Sequence, residues 1–367
     1  MPGHLPRLRS GVAESHEHAS ERVCASSGID ATERQRVSPR ERRGASTDIL
    51  SDVLRAVRLT GAVYFDLALT APWAVDTPPS SDVAGLVMPG AQRVIEYHVV
   101  AEGGGWARAE GHAPIRLRPG DLLLYPQGDA HVLSSAPDLT ATRDLSVYSR
   151  PEAATLPLAY VQNGGGAERT RIVCSFMGLD ERPYNPLLTA LPSVIHLSSD
   201  DADAASGWLG SVMRVAVSEA RADRPGGENV LARLAEVMFV EAIRRHLEKL
   251  PASQAGWLAG LRDPVVGQAL GALHAEPRRP WTVEDLARLV GQSRSVFAER
   301  FGAMVGQPPM QYLALWRMQL ASHQLLQGQA VARVAEAVGY ESEAAFSRAF
   351  KKLVGQPPAL WRGNHQG

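Results

Sequence analysis

Two cysteines in 367 residues, Cys24 and Cys174, are too few for a disulfide framework or a thiolate zinc cage. No apolar run approaches the roughly 18 residues that a membrane-spanning helix needs. The first 20 residues hold Arg7, Arg9 and Glu14 and no apolar stretch of the kind a secretory signal carries, so the expected compartment is the cytoplasm. Net charge is nearly absent, at −1. What is present is ordinary for soluble globular proteins, with 45% hydrophobic and 21% charged residues. The length predicts two domains and a tail.

The small net charge conceals an uneven distribution. Residues 1–48 balance at +1, residues 49–261 at −6 and residues 262–367 at +4. An acidic middle joined to a basic end points to a C-terminal module that meets a polyanion. Residues 1–46, rich in Arg, Glu and Ser, lack large apolar side chains and are expected to be a disordered tail. Between residues 61 and 197, short apolar runs alternate with Pro/Gly turns, which predicts a small antiparallel barrel or sandwich.

The period then changes to that of helices. Residues 206–222 and 228–250 carry apolar positions at helical spacing. In the second stretch Val230, Leu231, Leu234, Val237, Met238, Val240, Ile243 and Leu247 cover more than one face. Such a helix needs two packing partners. Either both lie within the monomer, or one is a second subunit that Leu231 and Met238 would contact. Residues 251–261, with Pro, Gly, Ser and Ala, read as a linker. Helices follow to the end.

The C-terminal part repeats itself at an offset of 49 residues. Phe297 and Phe301 match Phe346 and Phe350, and Gly306-Gln307-Pro308-Pro309 matches Gly355-Gln356-Pro357-Pro358. Each copy reads as a short helix, a glycine turn at Gly291 or Gly339, and a second helix capped by Ser293 or Ser342. Thr282 with Asp285 caps the first. Helix, glycine turn and capped helix make a helix-turn-helix, and two copies joined by a long helix make a strong signal.

Residues 263–362 resemble the DNA-binding domain of the AraC/XylS family of transcription regulators, most clearly over Ala335–Tyr340, Phe346, Phe350 and Gly355-Gln356-Pro357-Pro358. The resemblance implies that each recognition helix enters a major groove of double-stranded DNA. The face opposite the aromatic stripe then meets the bases: Arg294, Ser295, Ala298 and Glu299 in the first copy, and Glu343, Ala344, Ser347 and Arg348 in the second. Arg bonds guanine bidentately, Glu accepts from cytosine, and Ala touches a thymine methyl. Glu299 and Glu343 have the alternative role of orienting a nearby Arg. Lys351 and Lys352 are expected phosphate contacts, or a solvated surface.

Residues 120–131, GDLLLYPQGDAH, resemble the second motif of the cupin barrel superfamily. His131 ends that motif, and His98 stands alone where the first motif usually carries two histidines. Val100 takes the place of the second, and Glu102 lies too close to be the usual carboxylate. No metal and no other cofactor is therefore expected. Strand alternation puts Glu96, His98 and Val100 on one face. With Trp106 and His131, Glu96 and His98 are the expected lining of an effector site, the alternative being satisfied core groups. Cys174 reads as a small buried residue or a spare ligand.

The expected fold class is α+β: a cupin-like β-barrel at residues 47–205, a helical dimerisation segment at 206–250, a linker at 251–261 and an all-α double helix-turn-helix domain at 262–367. The leading function is a homodimeric, non-enzymatic transcription regulator that answers a small molecule, with RNA polymerase a further candidate partner. A cupin enzyme with an accessory DNA-binding domain, and a regulator whose barrel only dimerises, are the rival readings.

Overall fold

The computed structural model describes residues 48–56, 59–91, 93–149, 156–179, 184–200, 208–222, 224–251 and 256–365. The expected tail at 1–46 lies outside them.

Helix α1 (Ile49–Ala56) precedes strands β1 (Leu59–Thr70) and β2 (Ala74–Thr77), helix α2 (Ser80–Val87), and strands β3 (Arg93–Glu102), β4 (Gly105–Ala109), β5 (Ile115–Leu117), β6 (Leu122–Tyr125) and β7 (His131–Ser134). Then come β8 (Leu158–Asn163), β9 (Arg169–Leu179), helix α3 (Pro186–Ala190) and β10 (Ile195–Leu197). They form one sheet of order β10-β6-β3-β9-β1-β8 and another of order β2-β7-β4-β5. The ladders are antiparallel as expected, except that β8 joins the edge of β1 in parallel. A parallel neighbour needs a long crossover, and here everything between β1 and β8 supplies it.

One apolar cluster, with Phe65, Leu67, Trp73, Val100, Ala107, Leu133, Ile172 and Phe176, fills the space between the sheets. Strand β3 is buried on both faces because its alternate residues have different partners. Val94 and Val100 point into the barrel, while Ile95, Tyr97 and Val99 point outward to the helices. Helices α4 (Trp208–Arg221) and α5 (Gly227–Lys249) lie on that outer side. Tyr97 Oη and Tyr64 Oη are 2.5 Å apart, and Tyr64 donates to the carbonyl of Leu231 at 2.5 Å, so strands and α5 are stitched together in a dry interface.

This packing corrects the assignment of Leu231 and Met238 to a subunit contact. Both are about 1% exposed and belong to the monomer core with Ala235, Phe239, Ala242 and Ile243. The sequence shows apolar residues around the helix but not that most of them face the sheet. Only Val230 and Val237 remain largely exposed, at 43% and 39%.

Helices α6 (Trp257–Arg262), α7 (Pro264–Ala275), α8 (Val283–Leu289), α9 (Arg294–Val305), α10 (Pro309–Leu326), α11 (Val331–Ala337), α12 (Glu343–Val354) and α13 (Pro358–His365) complete the chain. The expected linker therefore ends early. Trp257, Leu258 and Ala259 are buried, and Trp257 Nε1 donates to Tyr312 Oη on α10 at 3.1 Å. Composition concealed a short helix that packs on α7 and α9 and reaches Tyr312, 55 positions away.

Candidate functional site

The two helix-turn-helix units are α8–α9 and α11–α12. The Thr282–Asp285 capping box starts α8, and Ser293 and Ser342 accept from the Val296 and Ala345 amides to start α9 and α12. Phe297, Phe301, Phe346 and Phe350 are fully buried. Gly306 and Gly355 end the recognition helices with φ of 78° and 92°. At Gly339, φ is +82° and an added Cβ would lie 2.4 Å from the carbonyl oxygen of Arg278. Glycine there lets the second unit sit against the loop that joins α7 to α8. Arg317 on α10 locks the same loop, donating to the carbonyls of Pro277 at 2.7 Å and Arg279 at 2.9 Å.

On α9, Arg294, Ser295 and Glu299 are exposed and Ala298 is half-buried. On α12, Glu343, Ala344, Arg348, Lys351 and Lys352 are exposed and Ser347 is half-buried. Among the described residues, Glu299, Glu343, Arg348, Lys351 and Lys352 make no ion pair, and Arg294 only approaches Glu284 at 4.0 Å. Their hydrogen-bonding groups are free for a ligand. Sequence reasoning passed over two neighbours of this surface. Val296 is 50% exposed beside Ser295, whereas Arg300 is held by Asp263, the N-cap of α7, at 2.5 Å.

The second site lies inside the barrel. The register sets His98 opposite Cys174 and Glu96 opposite Tyr125 and Phe176. His98 Nε2 lies 2.6 Å from His131 Nε2, and His98 Nδ1 lies 2.8 Å from Cys174 Sγ. His131 Nδ1 is 2.9 Å from the carbonyl of Asp129, and the Tyr125 ring stacks on His131 at 3.6 Å. Glu96 is fully buried, and neither carboxyl oxygen has a hydrogen-bond partner; Oε2 is 4.0 Å from His131 Nε2. Donor atoms of Glu96, His98 and His131 all fall within 4.8 Å of one another. Glu96, two positions before His98, thus stands beside the two imidazoles, while Glu102 faces outward to Arg221 at 3.4 Å.

Burial, with the Asp129 charge adding to it, pushes the Glu96 carboxyl well above its usual range. Burial also holds His98 well below its ordinary value and takes His131 down to about 4. The Cys174 thiol is pushed well up by burial, which makes it a poor nucleophile. Burial thus disfavours the charged form of each of these groups. A cavity of about 140 Å³ reaches His98 and Cys174, with Tyr148, Phe65 and Asp76 among its walls. A cavity of that size holds a molecule about as large as benzene.

Trp106 does not join this site. Along β4, Gly105, Ala107 and Ala109 face inward, and Trp106 lies half-exposed on the outside under the Arg116 guanidinium, 5.2 Å from its centroid. A Cβ at Gly105 would meet Trp73 ring atoms at 2.9 Å. The Ser134 carbonyl oxygen would lie closer still, at 2.5 Å, so the inward residue beside buried Trp73 must be glycine.

A barrel with a buried polar centre followed by two rigidly coupled helix-turn-helix units defines a DNA-binding protein of the double helix-turn-helix class. Residues 48–248 match the cupin family and residues 286–364 the helix-turn-helix domain family. An AraC-like transcription regulator of Streptomyces lividans is 34% identical over 86% of this chain and 98% of its own length. The regulator AlkR of Acinetobacter baylyi is 28% identical over 86% of this chain and 99% of its own. The DNA-bound DNA-binding domain of AdpA is 30% identical, with 28% of this chain and 94% of that one covered, at a TM-score of 0.26. The chain belongs to the AraC-like transcription regulators that carry an N-terminal cupin domain. No helix among the described residues is long and apolar enough to cross a membrane.

Proposed function

We propose that this regulator binds a small effector in its barrel and passes the occupancy of that site to the first helix-turn-helix unit through Gln127, α3 and Tyr184. The observation that carries this reading is two sets of polar contacts, one on α3 and its C-cap and one just before the helix. Gln127, in the turn that leads to His131, donates from one amide nitrogen to the carbonyls of Leu188 at 2.7 Å and Leu191 at 3.0 Å. Just before α3, the Tyr184 hydroxyl accepts from Gln307 Nε2 at 2.5 Å, and its ring meets Tyr312 edge-on. Gln307 follows the C-cap of recognition helix α9. The apolar cluster behind these bonds runs without a break from Ile95 and Tyr97 to Phe297, Phe301 and Trp316. A shift of the His131 turn therefore has a packed path to α9.

The base-reading residues are those exposed on α9 and α12, with Lys351 and Lys352 on phosphate. DNA-binding elements begin at α6 on this reading rather than at residue 262. The active form is a cytoplasmic homodimer. Its subunit contact uses the exposed Trp208, Val215, Val230 and Val237, and the barrel does no catalysis. RNA polymerase is its partner at promoters.

The test starts from a metabolite panel screened by thermal stabilisation of the full chain. With a stabilising compound in hand, Gln127→Ala should leave its binding within about threefold of wild type. The same change should cut the compound's effect on DNA affinity, since allosteric couplings are typically about 1–3 kcal/mol. An unchanged effect on DNA affinity would show that the path lies elsewhere, and a panel without a stabilising compound would favour a barrel that only dimerises.

A further inference from the structure

We propose that a groove beside the turn joining β6 to β7 binds a small zwitterion of amino-acid or dipeptide size. The groove lies between that turn, the start of α2 and the turn after β4. It measures about 680 Å³, within the roughly 300–1,000 Å³ typical of small-molecule sites. None of Glu96, His98 and His131 lines it, so the site goes beyond the effector cavity described above.

The positive side of the groove is the start of α2 together with Arg93. The N-cap of α2 is Pro79, which supplies no side-chain bond. The Ser80 amide donates to the Gly128 carbonyl at 2.8 Å, but the Ser81 amide, in the first turn, has no acceptor among the described residues. Ser80 is 5% exposed and lines the groove, yet its hydroxyl has no hydrogen-bond partner among the described residues. A buried polar side chain is ordinarily partnered, and a ligand in the groove supplies the partner. Arg93 Nη2 donates to Gln127 O at 2.8 Å and to Gln127 Oε1 at 2.6 Å, which fixes the guanidinium. Its Nε and Nη1 remain without partners among the described residues.

The negative side is Glu110 and Asp129, which form no ion pair among the described residues. His112 is the remaining titratable group on the wall. Charge decides the ligand class. One guanidinium and about half a positive charge at the helix start face two carboxylates. A simple anion is repelled by the carboxylates, and a dication by Arg93 and the helix end. A molecule with an ammonium at one end and a carboxylate at the other suits both sides. Its carboxylate accepts from Ser80, the Ser81 amide and Arg93, and its ammonium donates to Glu110 and Asp129. Because Arg93 also holds Gln127, occupancy adds a second input to the path proposed above, and only that input rests on that path.

Full-length protein should bind at least one of the common L-amino acids or dialanine, read by calorimetry and by thermal stabilisation. The N-acetylated and C-amidated forms of that compound should each bind about tenfold or more weakly, since each loses charge-assisted hydrogen bonds. Ser80→Ala, Glu110→Gln and Asp129→Asn should each weaken binding to a similar extent. Glu110→Gln, at an exposed position, keeps the test open if the buried Ser80 change disturbs folding. The bound compound should also change DNA affinity about fivefold or more. A wild type that binds none of these compounds at millimolar concentration overturns the site, as does equal binding by the acetylated and amidated forms. A compound that stabilises the protein independently of Ser80, Glu110 and Asp129 overturns this site while leaving the barrel reading in place. Binding without any effect on DNA affinity overturns the second input.

Discussion

Changing Leu231 and Met238 together to Glu should unfold the protein rather than separate its subunits. Both side chains are sealed between α5 and the six-stranded sheet, where Tyr64 already uses the Leu231 carbonyl. A carboxylate there would lie in an apolar cluster that includes Ala235, Phe239, Ala242 and Ile243. Either single change loses a large side chain's burial and adds an unpaired polar group, together about 4 kcal/mol or more. Two such losses take up most of the about 5–15 kcal/mol that a folded domain has to spare. Circular dichroism and thermal melting should show loss of the cooperative transition. Val230→Glu and Val237→Glu, at the exposed side of the same helix, should change stability by no more than about 0.5 kcal/mol. If the proposed subunit contact exists, those two variants should sediment as folded monomers. A folded, soluble Leu231/Met238 double variant would show that α5 does not pack as described.

Inserting five base pairs between the subsites of the two recognition helices should reduce affinity to that of a single subsite. The reason is the rigidity of the α10 bridge. Its first half contributes Tyr312 and Trp316 to the core of the first unit, and its second half gives Met318, Ala321 and Leu325 to the core of the second. Arg317 and Gly339 clamp the α7–α8 loop between them. Neither unit can swing to follow a subsite that has rotated half a turn around the duplex, about five base pairs. Losing the second engagement should cost about 10²- to 10⁴-fold, as for any linked pair of binding modules. Gel-shift or anisotropy titrations measure it directly, and a change below about threefold would mean that only one unit contacts DNA.

These features were unequally legible in the sequence. The duplicated unit was open to view because its signals are local. Phe297 and Phe301 one turn apart, a serine cap and a glycine stop each act within a dozen residues. The Glu96–His98–Val100 face followed from strand alternation alone. Trp106 was misplaced because three successive glycines hide where the pleat begins. The parity of β4 is set by Trp73, more than 30 positions away, packing against Gly105. The Cys174 contact needs the register of β3 on β9, 76 residues apart, which no local pattern encodes. Helix α5 misled for a related reason. Its apolar residues are visible in order, but the division between the sheet and the outside depends on how the helix lies against β1 and β3. Trp257 looked like linker because its partner, Tyr312, comes 55 residues later.

The central claim is that α9 and α12 read base edges through the residues opposite their buried aromatics. Binding selection over a randomised site, run in parallel with wild type, Arg348→Ala and Lys351→Ala, tests it most directly. Arg348 is exposed on the face away from Phe346 and Phe350 and makes no ion pair among the described residues. Its loss should cost about 1–3 kcal/mol, concentrated at one or two base pairs, with little effect on non-specific binding. Lys351→Ala should weaken every sequence alike and lower the salt slope by about one. If Arg348→Ala instead gives a uniform loss with unchanged base preference, Arg348 contacts phosphate and the reading face assigned to α12 is wrong.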